Sequence, residues 1–156
     1  MDPRSQKSQV ASRGSEEDFT LNQFLVQTDE NRSRAEGILF VFAMAKTVDD
    51  LEVYRKAMDA ARAISELLKH AAFRQDRELG SQLNRGSIRV PSDIAEGFEQ
   101  KTDRHFARYL YDAKGGAREI CTQLELARGR RYITDDEHKL VSGQYLEIAR
   151  MLRGAD

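Results

Sequence analysis

The chain has 156 residues, with 25 Lys and Arg against 26 Asp and Glu and a formal net charge of -1. With 2 Pro, 10 Gly and 1 Cys, it is neither collagenous, proline-rich nor a disulfide scaffold. Its length suits one domain of roughly 100–200 residues, and its balanced charge excludes a uniformly basic coat while leaving room for a local basic patch.

The chain divides into a head and a body. Residues 1–46 read as an N-terminal extension, largely disordered or loosely packed. Its opening, MDPRSQKSQVASRGSEED, is polar and aperiodic and cannot bury enough apolar surface to offset ordering entropy. FTLNQFLVQ is a short apolar signal, followed by polar TDENRSRAE. The run Ile38 to Ala45 reads as a buried strand or helix segment packing on the body. It falls far short of the roughly 18–20 residues of a membrane helix, so no membrane partner is expected.

The body, residues 47–156, reads as four amphipathic helices. From Asp49 to His70, Leu51, Tyr54, Ala57, Met58, Ala61, Ile64, Leu67, Leu68 and, just beyond, Ala71 recur at three- and four-residue spacing. Asp49 with Glu52 can cap this stripe. The second stripe uses Leu79, Leu83, Val90, Ile94 and Phe98, closed by Gly97. Pro91 lies in its middle and removes the bond to the Ser87 carbonyl, so a kink or split is expected before it. The third stripe is Phe106, Tyr109, Leu110, Ala113, Ala117, Ile120, Leu124 and Ala127, with Thr102 or Asp103 as its cap. The fourth is Leu140, Val141, Gln144, Tyr145, Ile148, Met151 and Leu152. Thr134 and Glu137 form a capping box before it, and Gly154 follows it. Short connections favour antiparallel neighbours, so the expected fold is all-α, an up-down-up-down four-helix bundle with its second helix kinked at Pro91.

These residues also resemble a known family. Leu51-Glu52-Val53-Tyr54, Gln82-Leu83-Asn84-Arg85, the segment Ser87 to Gly97 (SIRVPSDIAEG), Phe106, Tyr109-Leu110, Gly115-Gly116, Glu119 and Thr122-Gln123-Leu124 are similar to the pattern of the 23S rRNA intervening-sequence proteins. These are small bacterial four-helix bundles related to the accessory protein of diversity-generating retroelements. The resemblance spans roughly residues 49–153. It implies a non-enzymatic bundle, a homo-oligomer with five subunits, and association with nucleic acid or ribonucleoprotein. Three positions depart from the pattern: Asp93 stands for Asn, Gly116 for Ser, and Arg131 for the Gly that commonly precedes the Tyr. Members usually begin shortly before the LEVY segment, and Met44 stands in that place, so Met44 is the expected natural start.

No catalytic constellation is legible. A di-metal bundle needs paired Glu-x-x-His motifs, and no Glu stands three residues before His70, His105 or His138. Cys121 is lone, which fits a reducing cytoplasm, and it lies beside a core stripe as a small hydrophobe. Gly115 and Gly116 form no phosphate loop; mid-stripe, they let helices approach closely. Glu96, Glu119 and Gln123 read as structural groups that satisfy backbone near Pro91 and Gly97, with Arg85 or Arg89 as possible ion-pair partners of the two acids. No cofactor, metal or small-molecule substrate is expected, and an enzyme is a distant third choice.

The basic residues are more suggestive. Between Lys101 and Arg131 stand 8 Lys or Arg and 4 acids. At about 100° per residue, Arg104, Arg108, Tyr111, Gly115, Arg118 and Thr122 face away from the core stripe. A solvated face is the plain reading. Two others stand beside it: contact with RNA phosphates and bases, or burial against a second subunit, since Tyr and Arg favour interfaces. Arg85 and Arg89, one turn apart, extend the same choice. If Met44 is the start, intact mass of the product of the native gene will lack residues 1–43; a 156-residue product contradicts that expectation.

Overall fold

A computed structural model of the chain describes residues 29–100 and 102–153. Expectations for residues 1–28 and for Gly154 lie outside them. Among the described residues there are six α-helices and no strand: α1 Asp29–Met44, α2 Glu52–Leu67, α3 Ala71–Gln75, α4 Arg77–Phe98, α5 Asp103–Gly129 and α6 Asp135–Met151, with one 3-10 turn at Val48–Asp50. The fold is all-helical, as the periodicity demands.

The helix starts follow their caps. Asp76 accepts from the Leu79 amide at 3.2 Å and opens α4. Thr102 accepts from the His105 amide at 3.5 Å and opens α5. Thr134 accepts from the Glu137 amide at 3.2 Å while Glu137 accepts from the Thr134 amide at 2.8 Å, the expected capping box of α6. The start of α2 differs from expectation. Asp50, not Asp49, accepts from the amides of Lys46 and Thr47, both at 2.9 Å, and closes the preceding 3-10 turn. Leu51, buried in the core, then starts α2 without a side-chain cap.

The first body helix is also shorter than expected. It ends at Leu67, and His70 takes an extended backbone before the short α3. The turn buries Phe73, whose ring meets Tyr132 edge-on at 5.6 Å. Tertiary burial wins over the continuing helical pattern.

Helices α2, α4, α5 and α6 pack in a cycle, α2 on α4, α4 on α5, α5 on α6 and α6 on α2. Leu110, Leu124 and Ile148 lie in the shared core. The stripes of α4 and α5 are buried nearly as read. In α2 the stripe is rotated slightly, with Val53 and Ala60 buried, and Ala71, expected to continue it, is exposed at the start of α3. In α6, Leu140 is 67% exposed, and Ser142 and Ala149 complete the buried face. The run Ile38 to Ala45 lies in α1, whose Phe42 packs edge-on against Phe106 at 4.8 Å. Phe40, Val41 and Met44 stay exposed, and a cleft of about 400 Å³ lies between α1 and Leu51, Val53 and Met151.

Pro91 does not split α4, which is one helix from Arg77 to Phe98. The pyrrolidine ring is itself buried, between Val90 and Ile94 on the core side. Around the gap, Ser92 donates to the Ile88 carbonyl at 2.9 Å and Ser87 to the Asn84 carbonyl at 2.8 Å. Hydroxyls and burial hold the chain helical where one amide is missing.

The α4–α5 contact is the closest approach. A Cβ at Gly86 would lie 3.0 Å from Ile120 Cγ1, and one at Gly116 3.2 Å from Val90 Cγ2. Gly97 does not close its helix; it lies inside α4, buried against Tyr109. Gly115, expected to share the close-approach role, faces open space. Its spacing puts it a full 100° from Gly116.

The end of α5 places Arg131 in a left-handed turn. Arg131 has φ 60°, its amide donates to the Arg128 carbonyl at 2.9 Å, and the Tyr132 amide donates to the Ala127 carbonyl at 2.9 Å. This is a Schellman stop, which ordinarily uses Gly because a Cβ is strained there. Arg131→Gly should therefore stabilise the fold by about 1 kcal/mol, read as a raised urea midpoint; an unchanged or lower midpoint would refute the left-handed turn. Gly86→Ala should lower the thermal midpoint, because fully buried Ile120 has nowhere to retreat. Gly115→Ala should raise it, by up to about 1 kcal/mol of helix propensity. Equal shifts for the pair would contradict the seam.

Candidate functional site

Helix α5 has two flanks of different character. The flank toward α4 carries Tyr109, Asp112, Gly116, Glu119 and Gln123. Tyr109 hydrogen-bonds the Glu96 carboxylate, which pushes its phenol up from the ordinary value. The Gln123 amide donates to Glu119 at 3.1 Å. Asp93 is 8% exposed; burial raises its carboxyl against the pull of Arg89, and Asp112 and Glu96 add to the rise. Arg89 reaches Asp93 at 3.3 Å, and Arg85 reaches the Ser81 hydroxyl at 3.2 Å. The expected pairing of Glu96 and Glu119 with Arg85 or Arg89 is thus replaced. Tyr109 across the seam takes Glu96, and Gln123 one turn along the same helix takes Glu119.

This seam also divides the expected basic surface. Arg85, Arg89, Arg104, Arg108 and Arg118 are all exposed, as the outward reading requires. However, Arg89 pairs with Asp93, which has Asp112 and Glu96 nearby, so the positive charge of Arg89 is offset locally.

The other flank of α5 faces α6 and carries Lys114, Arg118 and Cys121. Lys114 is half-buried, and its ammonium lies 5.2 Å from the ring centre of Tyr111, within cation–π reach. Tyr111 is 55% exposed. Burial pushes the Lys114 ammonium down from the usual lysine value, and Arg153 and Arg118 push it further. Among the described residues no carboxylate counters that effect. Lys114 and Arg118 are one turn apart on α5, and Arg153 arrives from just past the end of α6, one turn after exposed Arg150. Sequence reasoning counted Lys114 only within the local excess of charge and missed Arg153 entirely. The i, i+4 spacing of Lys114 and Arg118 was a usable signal; the arrival of Arg153 depends on tertiary packing.

Nothing on this flank makes a nucleophile. Burial pushes the Cys121 thiol up, and its sulfur donates to the Ser142 carbonyl at 3.8 Å. Nearby Tyr145 is fully buried, and burial pushes its phenol far above the usual value. The Tyr145 hydroxyl, Ser142 Oγ and Gln123 Oε1 find no hydrogen-bond partner among the described residues. Among the described residues no group of three or more His, Cys, Asp or Glu is arranged to hold a metal. His70 instead pairs with Glu137 and His138 with Glu125, each at 3.0 Å.

These histidines belong to a polar network at one end of the fold. Asp76 accepts from the Leu79 amide and from Arg130 and Tyr132, and these bonds hold its carboxyl below the usual range. Arg128 does the same for Glu125, and the Thr134 amide, with His70, for Glu137. The network ties the corner before α4 to the turn between α5 and α6.

The family model of the 23S rRNA-intervening sequence proteins matches residues 49–154. The chain belongs to that family. The match covers the body and leaves the head outside it. The fold is similar to that of a protein of unknown function from the S23 ribosomal protein family of Bacteroides thetaiotaomicron, with a TM-score of 0.60 and 24% identity over 64% of this chain and 94% of that chain. That likeness carries the fold alone. Among curated proteins no relative matches the chain. Asp93 takes Arg89 as partner, Gly116 admits Val90 and Arg131 adopts the left-handed turn.

The depressed carboxyls of Asp76, Glu125 and Glu137 set a pH dependence. Their folded pKa values lie below the unfolded ones, so the stability they supply is complete above the unfolded carboxylate range of about 4. It is lost as pH falls through the folded values. Thermal midpoints measured from pH 7 to pH 3 should fall on the acid side, and Asp76→Asn should flatten that fall. A variant whose acid limb matches the parent would contradict the role given to Asp76.

Proposed function

We propose that this protein is a non-enzymatic binding module that holds RNA through the basic outer side of α5, in the cytoplasm. The observation that supports this reading most is the basic outer side of α5, where Arg104, Arg108 and Arg118 are exposed and Lys114 lies against the Tyr111 ring. Concentrated cations attract phosphates and release counterions on binding. Tyr111 beside them offers a ring for a base. The family description names an intervening sequence of 23S rRNA, which fits an RNA partner.

The proposal includes an architecture. Helices α2, α4, α5 and α6 form an antiparallel up-down-up-down bundle with a bend at Pro91. Side-chain contacts support opposed directions for α5 and α6, since Glu125 meets His138 while Cys121 meets Ser142. The protein assembles as a homo-oligomer, five copies by the family resemblance, so a modest patch is repeated and gains through multivalency. The second reading is a self-assembling or protein-binding scaffold. Exposed Tyr111 and Leu126 on α5 favour it, because such side chains anchor interfaces.

Gel shifts with single-stranded RNA at two salt concentrations separate the readings. RNA binding should weaken with salt, and Arg118→Glu should weaken it by about tenfold or more while Arg85→Glu leaves it within about twofold. Salt-insensitive or absent binding, with Tyr111→Asp dissociating an oligomer by light scattering, favours the scaffold instead.

A further inference from the structure

The outer side of α5 is not an even row of side chains. Tyr111, Gly115 and Arg118 follow one another on successive turns, and all three are exposed. Tyr111 is 55% exposed, and the Lys114 ammonium lies 5.2 Å from its ring centre. Among the described residues no atom comes within 4 Å of a Cβ built at Gly115. A Cβ at Gly116 would meet Val90, which accounts for that glycine; Gly115 has no such packing reason among the described residues. The helix therefore carries a ring, a bare turn and a guanidinium in line, at the usual cost of a glycine inside a helix.

Helix geometry sets the size of the gap. Tyr111 and Arg118 stand seven residues apart in the chain, which is roughly 10.5 Å along the axis and about 20° around it. Long helical side chains lean toward the N-terminus, so Arg118 leans over the turn that Gly115 leaves bare. A flat group held between two planes needs about twice the roughly 3.4 Å rise of one nucleotide along a strand. The gap admits one such group, and the flexible Arg118 side chain closes on it. Both walls are surfaces on which unstacked bases lie: an aromatic ring and a guanidinium plane. A side chain at Gly115 would stand in the middle. A paired base inside a duplex offers only its edge and is shut out.

We propose that Tyr111, Gly115 and Arg118 form a slot for one unpaired base, so that the RNA held along α5 is single-stranded. The slot rests on the RNA reading above and narrows it from any RNA to one with an unstacked base. Exposed Arg108 and Arg104, one and two turns before Tyr111, take the phosphates that lead into the slot.

The test compares single strand with duplex on the full chain by fluorescence polarisation. A short oligouridylate carries one central 2-aminopurine, the only purine in it and so its strongest stacker; a second sample is the same strand annealed to its complement. The single strand should bind about tenfold tighter than the duplex, and its 2-aminopurine emission should fall as the base enters the slot. Gly115→Leu keeps every charge, favours the helix and fills the slot. It should bring single-strand affinity to within about twofold of the duplex, abolish the fall in emission and leave duplex affinity within about twofold of the parent. Tyr111→Leu removes one wall and should do the same, which keeps the test open where Gly115→Leu disturbs folding by circular dichroism. A single strand bound no tighter than the duplex, or a preference that survives in both variants, overturns the slot while the RNA reading stands. Equal loss of both RNAs in the variants, with a changed mass by light scattering, assigns Tyr111 and Gly115 to a subunit contact and overturns the slot. Absence of binding to either RNA overturns the RNA reading itself.

Discussion

The organisation of this protein depends on how closely α4 and α5 approach. Gly86 and Gly116 remove the side chains that would hold the two helices apart, and Ile120 and Val90 fill the space from the opposite side. That interdigitation fixes the rotation of α5 about its own axis. Once fixed, one flank must turn its polar side chains toward α4 and the other toward α6. Asp93 and Glu96 of α4 and Asp112 of α5 gather at one seam, where Asp93 takes Arg89 as partner, while Lys114 lies against Tyr111 and Cys121 meets α6 on the other flank.

The apolar core underneath is ordinary in kind. Small alanines on α5, at Ala113, Ala117 and Ala127, leave room for larger residues such as Tyr145 and Ile148 on α6. Polar groups buried with them carry a cost. The Tyr145 hydroxyl and Ser142 Oγ lie in the core without a partner among the described residues, and an unmade buried hydrogen bond is more expensive than an absent one. The polar network at the opposite corner compensates in specificity. Asp76, Arg130 and Tyr132 pin the turn between α5 and α6 to the start of α4, which restrains the register that the core alone leaves soft.

Much of this was legible in the sequence. The third stripe, Phe106 to Ala127, is buried almost residue for residue because a 3.6-residue period leaves few alternatives over so many turns. Thr134 with Glu137 announced α6 for the same local reason. Local reading failed where tertiary contacts decide. The break after Leu67 exists to bury Phe73 against Tyr132, a partner 59 residues further on. Pro91 read as a breaker, yet its neighbours' burial and two serine hydroxyls keep α4 whole. Gly115 and Gly116 are indistinguishable in sequence, and only the rotation of α5 tells which one meets a neighbour. The candidate site divided in the same way. Arg104, Arg108, Tyr111 and Arg118 face outward as helical spacing dictates, but spacing alone does not show that Glu96 is taken by Tyr109 of the neighbouring helix.

We propose that helix rotation, set by the glycine seam, turns the basic side of α5 toward an RNA partner. Side-chain NMR of labelled lysine and arginine, followed while a short single-stranded RNA is added, reads that face directly. Perturbations should concentrate on Arg104, Arg108, Lys114 and Arg118 and leave Arg85 and Arg89 unmoved. Perturbations centred on Arg85 and Arg89, or spread evenly over all the basic side chains, would contradict it.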